Sequence, residues 1–149
     1  MQIKKSPRVA IYARVSTSEQ NIDGQLMELK NYCNSRSWTI SHEIVDHGYS
    51  GKSLQRPEFQ RLLTLARRRE IDCIVITRLD RAFRHLKSLV LTLEEWAALG
   101  ITCISIREGL DYSTPNGKFF VQVLGALGEF ERSIIVDRVK AGISAAQAR

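Results

Sequence analysis

Tyr12-Ala13-Arg14-Val15-Ser16-Thr17 places a hydroxyl two residues after a guanidinium. A second polar cluster, Asp46-His47-Gly48-Tyr49-Ser50-Gly51, is closed by Arg56-Pro57. A third, Thr77-Arg78-Leu79-Asp80-Arg81-Ala82-Phe83-Arg84, adds further arginines. Together they offer one hydroxyl nucleophile and several guanidiniums, a combination that suits phosphoryl transfer. Arginine forks bind phosphate oxygens bidentately, stay charged, and stabilise the charge that builds at phosphorus. Ser16 taken alone reads as the N-cap of a following helix, a frequent role for serine after a strand. The arginine clusters turn that reading towards catalysis. Asp80 fits a residue that orients an arginine better than one that moves a proton. Arg67-Arg68-Arg69 reads as a solvated helix end that favours the dipole.

Each cluster follows a strand. Arg8 to Val15 alternates and is rich in β-formers. Ser18 to Ser35 then carries Ile22, Leu26, Leu29 and Cys33 as a helical stripe. Trp38 to Val45 reads as a second strand, and Asp46 to Arg56, with Gly48 and Gly51, as a loop. Pro57 opens a helix marked by Phe59, Leu62, Leu63 and Ala66. Asp72 to Thr77 contains Ile74-Val75-Ile76, the pattern of a strand buried on both faces. Leu86 to Leu99 predicts a helix capped by Gly100, and Ile101 to Ile106 another buried strand. This alternation predicts an α/β domain with a mostly parallel sheet and helices on both faces. In such sheets, sites gather at the carboxyl ends of strands, where the three clusters lie.

Gly117 to Ala148 departs from the alternation. It is helix-compatible throughout, with Phe120, Val123, Leu124, Leu127, Phe130, Ile134 and Ile135 at helical spacing. At helical rise it spans about 48 Å, against roughly 35 Å for a compact domain built from the preceding residues. It therefore divides from a core at 1–116 as a projecting helix at 117–149. Its apolar stripe needs a second surface, and Gly125, Ala126 and Gly128 allow close backbone approach there. Arg132, Arg138 and Lys140 make a basic stretch suited to a phosphate backbone.

At 149 residues, 44% hydrophobic and 26% charged, the chain fits one globular domain. Its net charge of +6 suits a polyanionic partner such as nucleic acid. No apolar run reaches the roughly 18 residues of a membrane span, and no apolar stretch follows Met1-Gln2-Ile3-Lys4-Lys5 as in a signal peptide. A cytoplasmic location follows. Cys33, Cys73 and Cys103 read as reduced core residues. They share no ligand spacing with His42, His47 and His85, so no metal site is expected. Gly51-Lys52-Ser53 looks like the end of a phosphate-binding loop, but that motif needs glycine where Asp46 stands. A phosphoacceptor signalling domain shares the alternating order, yet it needs clustered carboxylates after the first strand, where Arg14 and Ser16 stand. A non-catalytic DNA-binding or assembly module of the same fold has no need of Ser16 beside several arginines.

Tyr12-Ala13-Arg14-Val15-Ser16-Thr17, Tyr49-Ser50-Gly51-Lys52-Ser53 with Arg56-Pro57, and Leu79-Asp80-Arg81 with Arg84 resemble the serine site-specific recombinases: resolvases, invertases and related integrases. Glu129-Phe130-Glu131-Arg132, with Arg138 and Gly142, resembles their long terminal helix. The resemblance covers about Arg8 to Arg149. It implies the N-terminal catalytic domain, with the nucleophile on Ser16 and active-site arginines at Arg14, Arg56, Arg81 and Arg84. Asp80, Gln20 and Gln25 match supporting positions. It further implies transesterification of double-stranded DNA through a 5′-phosphoserine, with no metal or nucleotide cofactor. A homodimer forming a tetramer in the synaptic complex is implied as well, associated with the nucleoid. Two positions depart: Phe83 stands where relatives often have a small residue, and His85 where an acidic or hydroxyl residue is common. Relatives also continue into a separate DNA-binding segment, which this sequence does not contain.

Overall fold

The computed structural model describes residues 6–16, 22–48 and 56–147; for Ser16, Glu131, Arg132 and Gln147 it describes the backbone. Strands β1 (Val9–Ser16), β2 (Ile40–Gly48), β3 (Cys73–Ile76), β4 (Thr102–Ser105) and β5 (Leu110–Asp111) form one sheet in the order β2-β1-β3-β4-β5. β1 to β4 are parallel, and β5 pairs antiparallel with β4. The helices are α1 (Ile22–Ser35), α2 (Pro57–Arg67), α3 (Leu79–Ala82), α4 (Leu86–Ala98) and α5 (Pro115–Gln147).

Strand alternation divides the core between the two faces of the sheet. Val9, Ile11 and Ala13 of β1 pack with Cys73, Val75 and Ile104 against Leu29 and Cys33 of α1. Ala10 and Tyr12 pack with Ile74 and Ile76 against Phe59 and Leu62 of α2 and Leu93 and Trp96 of α4. Helices thus cover both faces, as the sequence predicts. All four β3 residues are buried. The three cysteines are free and buried, as expected of core thiols. Burial pushes the Cys73 thiol up from 9.0 to about 12 and raises Cys103 further. Among the described residues no helix is long and apolar enough to cross a membrane.

Several boundaries differ from the sequence reading. β1 runs through Ser16, whose backbone pairs in register with Gly48. Ser16 therefore ends a strand, and α1 is described from Ile22 onward. β2 runs through Asp46, His47 and Gly48, which the sequence assigned to a loop. An ionisable residue can remain in this buried stretch because the Asp46 carboxylate finds three donors there, described below. α3 and β5 were not foreseen; elements of four and two residues are too short to carry a period. Gly100 has φ +79, the left-handed conformation expected of a C-terminal glycine after α4.

α5 begins at Pro115, two residues before Gly117, because proline is pre-set for the first helical position. Gly117 lies in the first turn, where a β-carbon would fall 2.0 Å from the Asp111 carbonyl oxygen. Further along, a β-carbon at Gly125 would lie 3.1 Å from Val90 and one at Gly128 2.9 Å from Leu86. These two glycines therefore bring α5 onto α4 of the same chain, and not onto a separate surface as the sequence suggested. Val121 and the half-buried Leu124 share that inward side. Phe120, Val123, Leu127, Phe130 and Ile135 remain exposed, as do Val136, Val139 and Ile143. Ala148 and Arg149 lie outside the described residues.

Candidate active site

The order β2-β1-β3 means the chain turns one way after β1 and the other way after β2. That reversal opens a crevice beyond the carboxyl ends of β1 and β3, where open α/β sheets bind ligands. Tyr12 pairs with Ile44 on one side and Ile76 on the other, so residues just after Tyr12 and Ile76 meet at this end. Arg14 lies two residues past Tyr12 on the same strand face. α3 follows β3 almost at once and carries Asp80 and Arg81; Arg84 comes just after its end.

The four arginines named from the sequence are gathered here. The Arg14 guanidinium is held below its usual range first by burial, then by the like charges of Arg84, Arg56 and Arg81. Arg56 donates from Nη1 to the Ala82 carbonyl at the end of α3, and its guanidinium lies 4.1 Å from the centre of the Phe59 ring. Gln25 reaches from α1 to donate from Nε2 to the Arg14 carbonyl at 3.2 Å. The Gln25 role thus falls on the Arg14 backbone. Asp80 is paired with Arg78 at 3.3 Å, an exposed pair. Ser16 ends β1 two residues beyond Arg14. Gln20 and Tyr49 to Ser53 lie outside the described residues.

Two carboxylates that the sequence left without a role organise this end of the sheet. Asp46 is 4% exposed and accepts from the Tyr12 hydroxyl at 2.8 Å, the Glu58 N–H at 3.0 Å and the Phe59 N–H at 2.9 Å. It satisfies the first turn of α2, whose N-cap Arg56 supplies no side-chain cap. Burial, then the Asp46 bond, hold the Tyr12 hydroxyl well above its ordinary range. Glu108 accepts from the Leu79 N–H at 3.1 Å and from the Ser105 hydroxyl. Neither role shows in local spacing, since Tyr12 is 34 residues from Asp46 and Leu79 is 29 from Glu108. Among the described residues, no three His, Cys, Asp or Glu side chains gather in a metal-binding group.

A cleft of about 520 Å³ beside the cluster is lined by Gln25, Glu28, Thr77, Arg78, Arg81 and Arg107. Glu28 pairs with Arg107 at 3.2 Å across it. Phe83, one of the two departures, is a core residue here: it is buried, with ring centres 6.0 Å from Phe59 and 6.1 Å from Trp96. His85 is exposed, just ahead of α4. Arg138 and Lys140 are exposed on α5 beyond its contact with α4, and Arg132 lies on the same helix.

The sheet is open and mostly parallel, and four arginines gather at its switch point, where guanidinium forks are suited to phosphate oxygens. Residues 9–149 match the family profile described as Resolvase, N terminal domain. The DNA-invertase of Escherichia phage P1 is 39% identical over 137 residues, 92% of this chain and 69% of that protein. The transposon Tn917 resolvase of Enterococcus faecalis is 36% identical over 138 residues, 93% of this chain and 70% of the relative. Among solved structures, the N-terminal catalytic domain of TP901-1 integrase superposes with a TM-score of 0.76 at 34% identity, covering 85% of this chain and 98% of that one. A resolvase family site-specific recombinase from Streptococcus pneumoniae gives 0.81 at 26% identity, covering 95% and 99%. The chain belongs to the serine recombinase family, as a resolvase-type N-terminal domain.

Proposed function

We propose that this chain cuts and rejoins double-stranded DNA by transesterification, with Ser16 as nucleophile. The observation that carries the reading is the convergence of Arg14, Arg56, Arg81 and Arg84 at the end of the strand that finishes in Ser16. Like charges this close repel one another, and a bound phosphate relieves that repulsion. In the proposed step the Ser16 oxygen attacks a backbone phosphorus and loses its proton, and the bond to the 3′ oxygen breaks. That oxygen takes up a proton and leaves as a 3′-hydroxyl, while the 5′ phosphate stays on serine. Attack by the 3′-hydroxyl of a partner strand reverses the step. One phosphodiester replaces another throughout, so the chemistry calls for no nucleotide cofactor. The arginine forks bind the non-bridging oxygens and stabilise their charge in the transition state. Asp80 orients the arginine segment, Gln25 supports the strand that bears Arg14 and Ser16, and Gln20 keeps the supporting role implied by the family resemblance.

The division of labour follows the sequence reading. The residues ahead of α5 form the catalytic core, and α5 (Pro115–Gln147) is the helix that meets DNA and a second copy of the chain. Cutting both strands of a duplex needs two active sites, and closed homodimers are the commonest assembly. The exposed apolar stripe of α5 suits a second copy of itself, and two dimers make the tetramer that exchanges strands. Arg132, Arg138 and Lys140 follow the phosphate backbone. Its place of work is the cytoplasm, on DNA.

The test is covalent capture. The chain is incubated with a pool of randomised duplexes and resolved on a denaturing gel. A protein–DNA adduct is expected for the wild type and none for Ser16→Ala, with the variant folded. An undiminished adduct in Ser16→Ala overturns the assignment.

A further inference from the structure

α3 carries Asp80 and Arg81 and leads into Arg84, yet it is only four residues long. A helix that short does not hold its own geometry, because nucleation fixes several dihedrals for very few hydrogen bonds. Its Arg81 N–H donates to the Arg78 carbonyl at 3.1 Å, but the Leu79 N–H that opens it has no intrahelical partner. The N-cap residue, Arg78, supplies no side-chain cap.

The missing partner comes from the turn between β4 and β5. Glu108 Oε1 accepts the Leu79 N–H at 3.1 Å, and Oε2 accepts the hydroxyl of Ser105. Ser105 is fully buried and ends β4. The backbone of the same turn follows the chain leaving β3: the Ile106 N–H donates to Ile76 at 3.0 Å and the Arg107 N–H to Thr77 at 2.9 Å. Glu108 itself is exposed, but its bonds run from the sheet to the start of α3. At the other end of α3, Arg56 donates to the Ala82 carbonyl. The helix is thus clamped at both ends, with Asp80 and Arg81 between.

We propose that Glu108 is a positioning residue for the arginine cluster, fixing the start of α3 to the end of β4 through Leu79 and Ser105, and so to the sheet that bears Arg14. The proposal rests on the DNA-cleaving reading above. Both carboxylate oxygens are engaged by neutral donors, so the group positions and transfers no proton. Its removal leaves the four arginines present but sets Arg81 and Arg84 loose relative to Arg14.

The experiment uses the duplex that the wild-type chain captures most efficiently from the randomised pool, with Glu108→Ala, Glu108→Gln and Ser105→Ala. For Glu108→Ala, adduct formation at saturating duplex is expected to slow about ten- to a hundredfold, with the half-saturating duplex concentration changed by less than about threefold. Glu108→Gln keeps a carbonyl oxygen for the Leu79 N–H and is expected to recover most of the rate; Ser105→Ala is expected to fall between. Amide hydrogen exchange at Leu79–Phe83 is expected to accelerate in Glu108→Ala. Wild-type rate in folded Glu108→Ala, or a change in affinity and melting temperature alone, overturns the proposal. If the wild type captures no duplex, the cleavage reading fails instead. The exchange measurement then decides the clamp by itself, and unchanged protection at Leu79–Phe83 in Glu108→Ala overturns it.

Discussion

The Tyr12 hydroxyl donates to Asp46 Oδ2 at 2.8 Å, joining neighbouring strands in the interior. The same carboxylate takes the Glu58 and Phe59 N–H groups, so one buried side chain ties β1, β2 and the start of α2 together. Arg14 stands opposite Asp46 in the β1–β2 register, and Arg56 directly precedes α2. The tie therefore sets where two of the four arginines sit relative to each other.

Tyr12→Phe takes one of three donors from the buried carboxylate, and Asp46→Ala leaves all three donors unpaired. Tyr12→Phe is expected to cost about 1–3 kcal/mol in urea unfolding, and Asp46→Ala about 3 kcal/mol or more, since it orphans three donors. Circular dichroism of the folded variants should match the wild type. A Tyr12→Phe protein as stable as the wild type overturns the assignment of this bond as a stabilising one.

Alkaline pH should destabilise the fold through its buried acids. Burial raises Cys73 from 9.0 to about 12, and Cys103 and Tyr12 are raised as well. The unfolded chain releases these protons first as pH rises, so it binds fewer protons than the native state there. Stability from this source is whole below about pH 9 and falls as pH climbs towards 12. Urea midpoints measured under reducing conditions from pH 8 to 11 should decline, and less steeply in Cys73→Ala. A midpoint flat over that range contradicts the prediction.

Charge alone should not rescue the arginine cluster. Arg14→Lys, Arg81→Lys and Arg84→Lys keep the positive charge but lose the planar fork. Each is expected to slow adduct formation about a hundredfold with little change in melting temperature. Lysine variants that cleave at the wild-type rate would reduce these residues to long-range electrostatics.

The outer stripe of α5 should drive self-association. Leu127 and Phe130 are 52% and 64% exposed, on a 33-residue helix that spans about 50 Å. Sedimentation across a concentration series should show the wild type associating, and a Leu127→Asp, Phe130→Asp double variant remaining a folded monomer. If the wild type stays monomeric and the double variant unfolds, the stripe belongs to the monomer's own core.

What the sequence by itself determined is whatever a local pattern records. Ile74-Val75-Ile76 announces a doubly buried strand, the α5 stripe repeats at helical spacing, and Arg14 with Ser16 stands two residues apart at a strand end. Those patterns gave the α/β class, the long helix and the end of the sheet that bears the polar clusters; the choice of Arg14, Arg56, Arg81 and Arg84 came from the family resemblance. The tertiary structure alone decided the rest, because each remaining feature depends on partners distant in the chain. Asp46 remains in a strand only because Tyr12, 34 residues away, and the first turn of α2 supply donors. Glu108 meets Leu79 across 29 residues, through a turn and a helix too short to leave a period in the sequence. Gly125 and Gly128 read as small residues free for any surface until the packing of α4 set Val90 and Leu86 against them. Periodicity reports which face of an element is apolar; only the packed chain reports what that face, or a lone carboxylate, will meet.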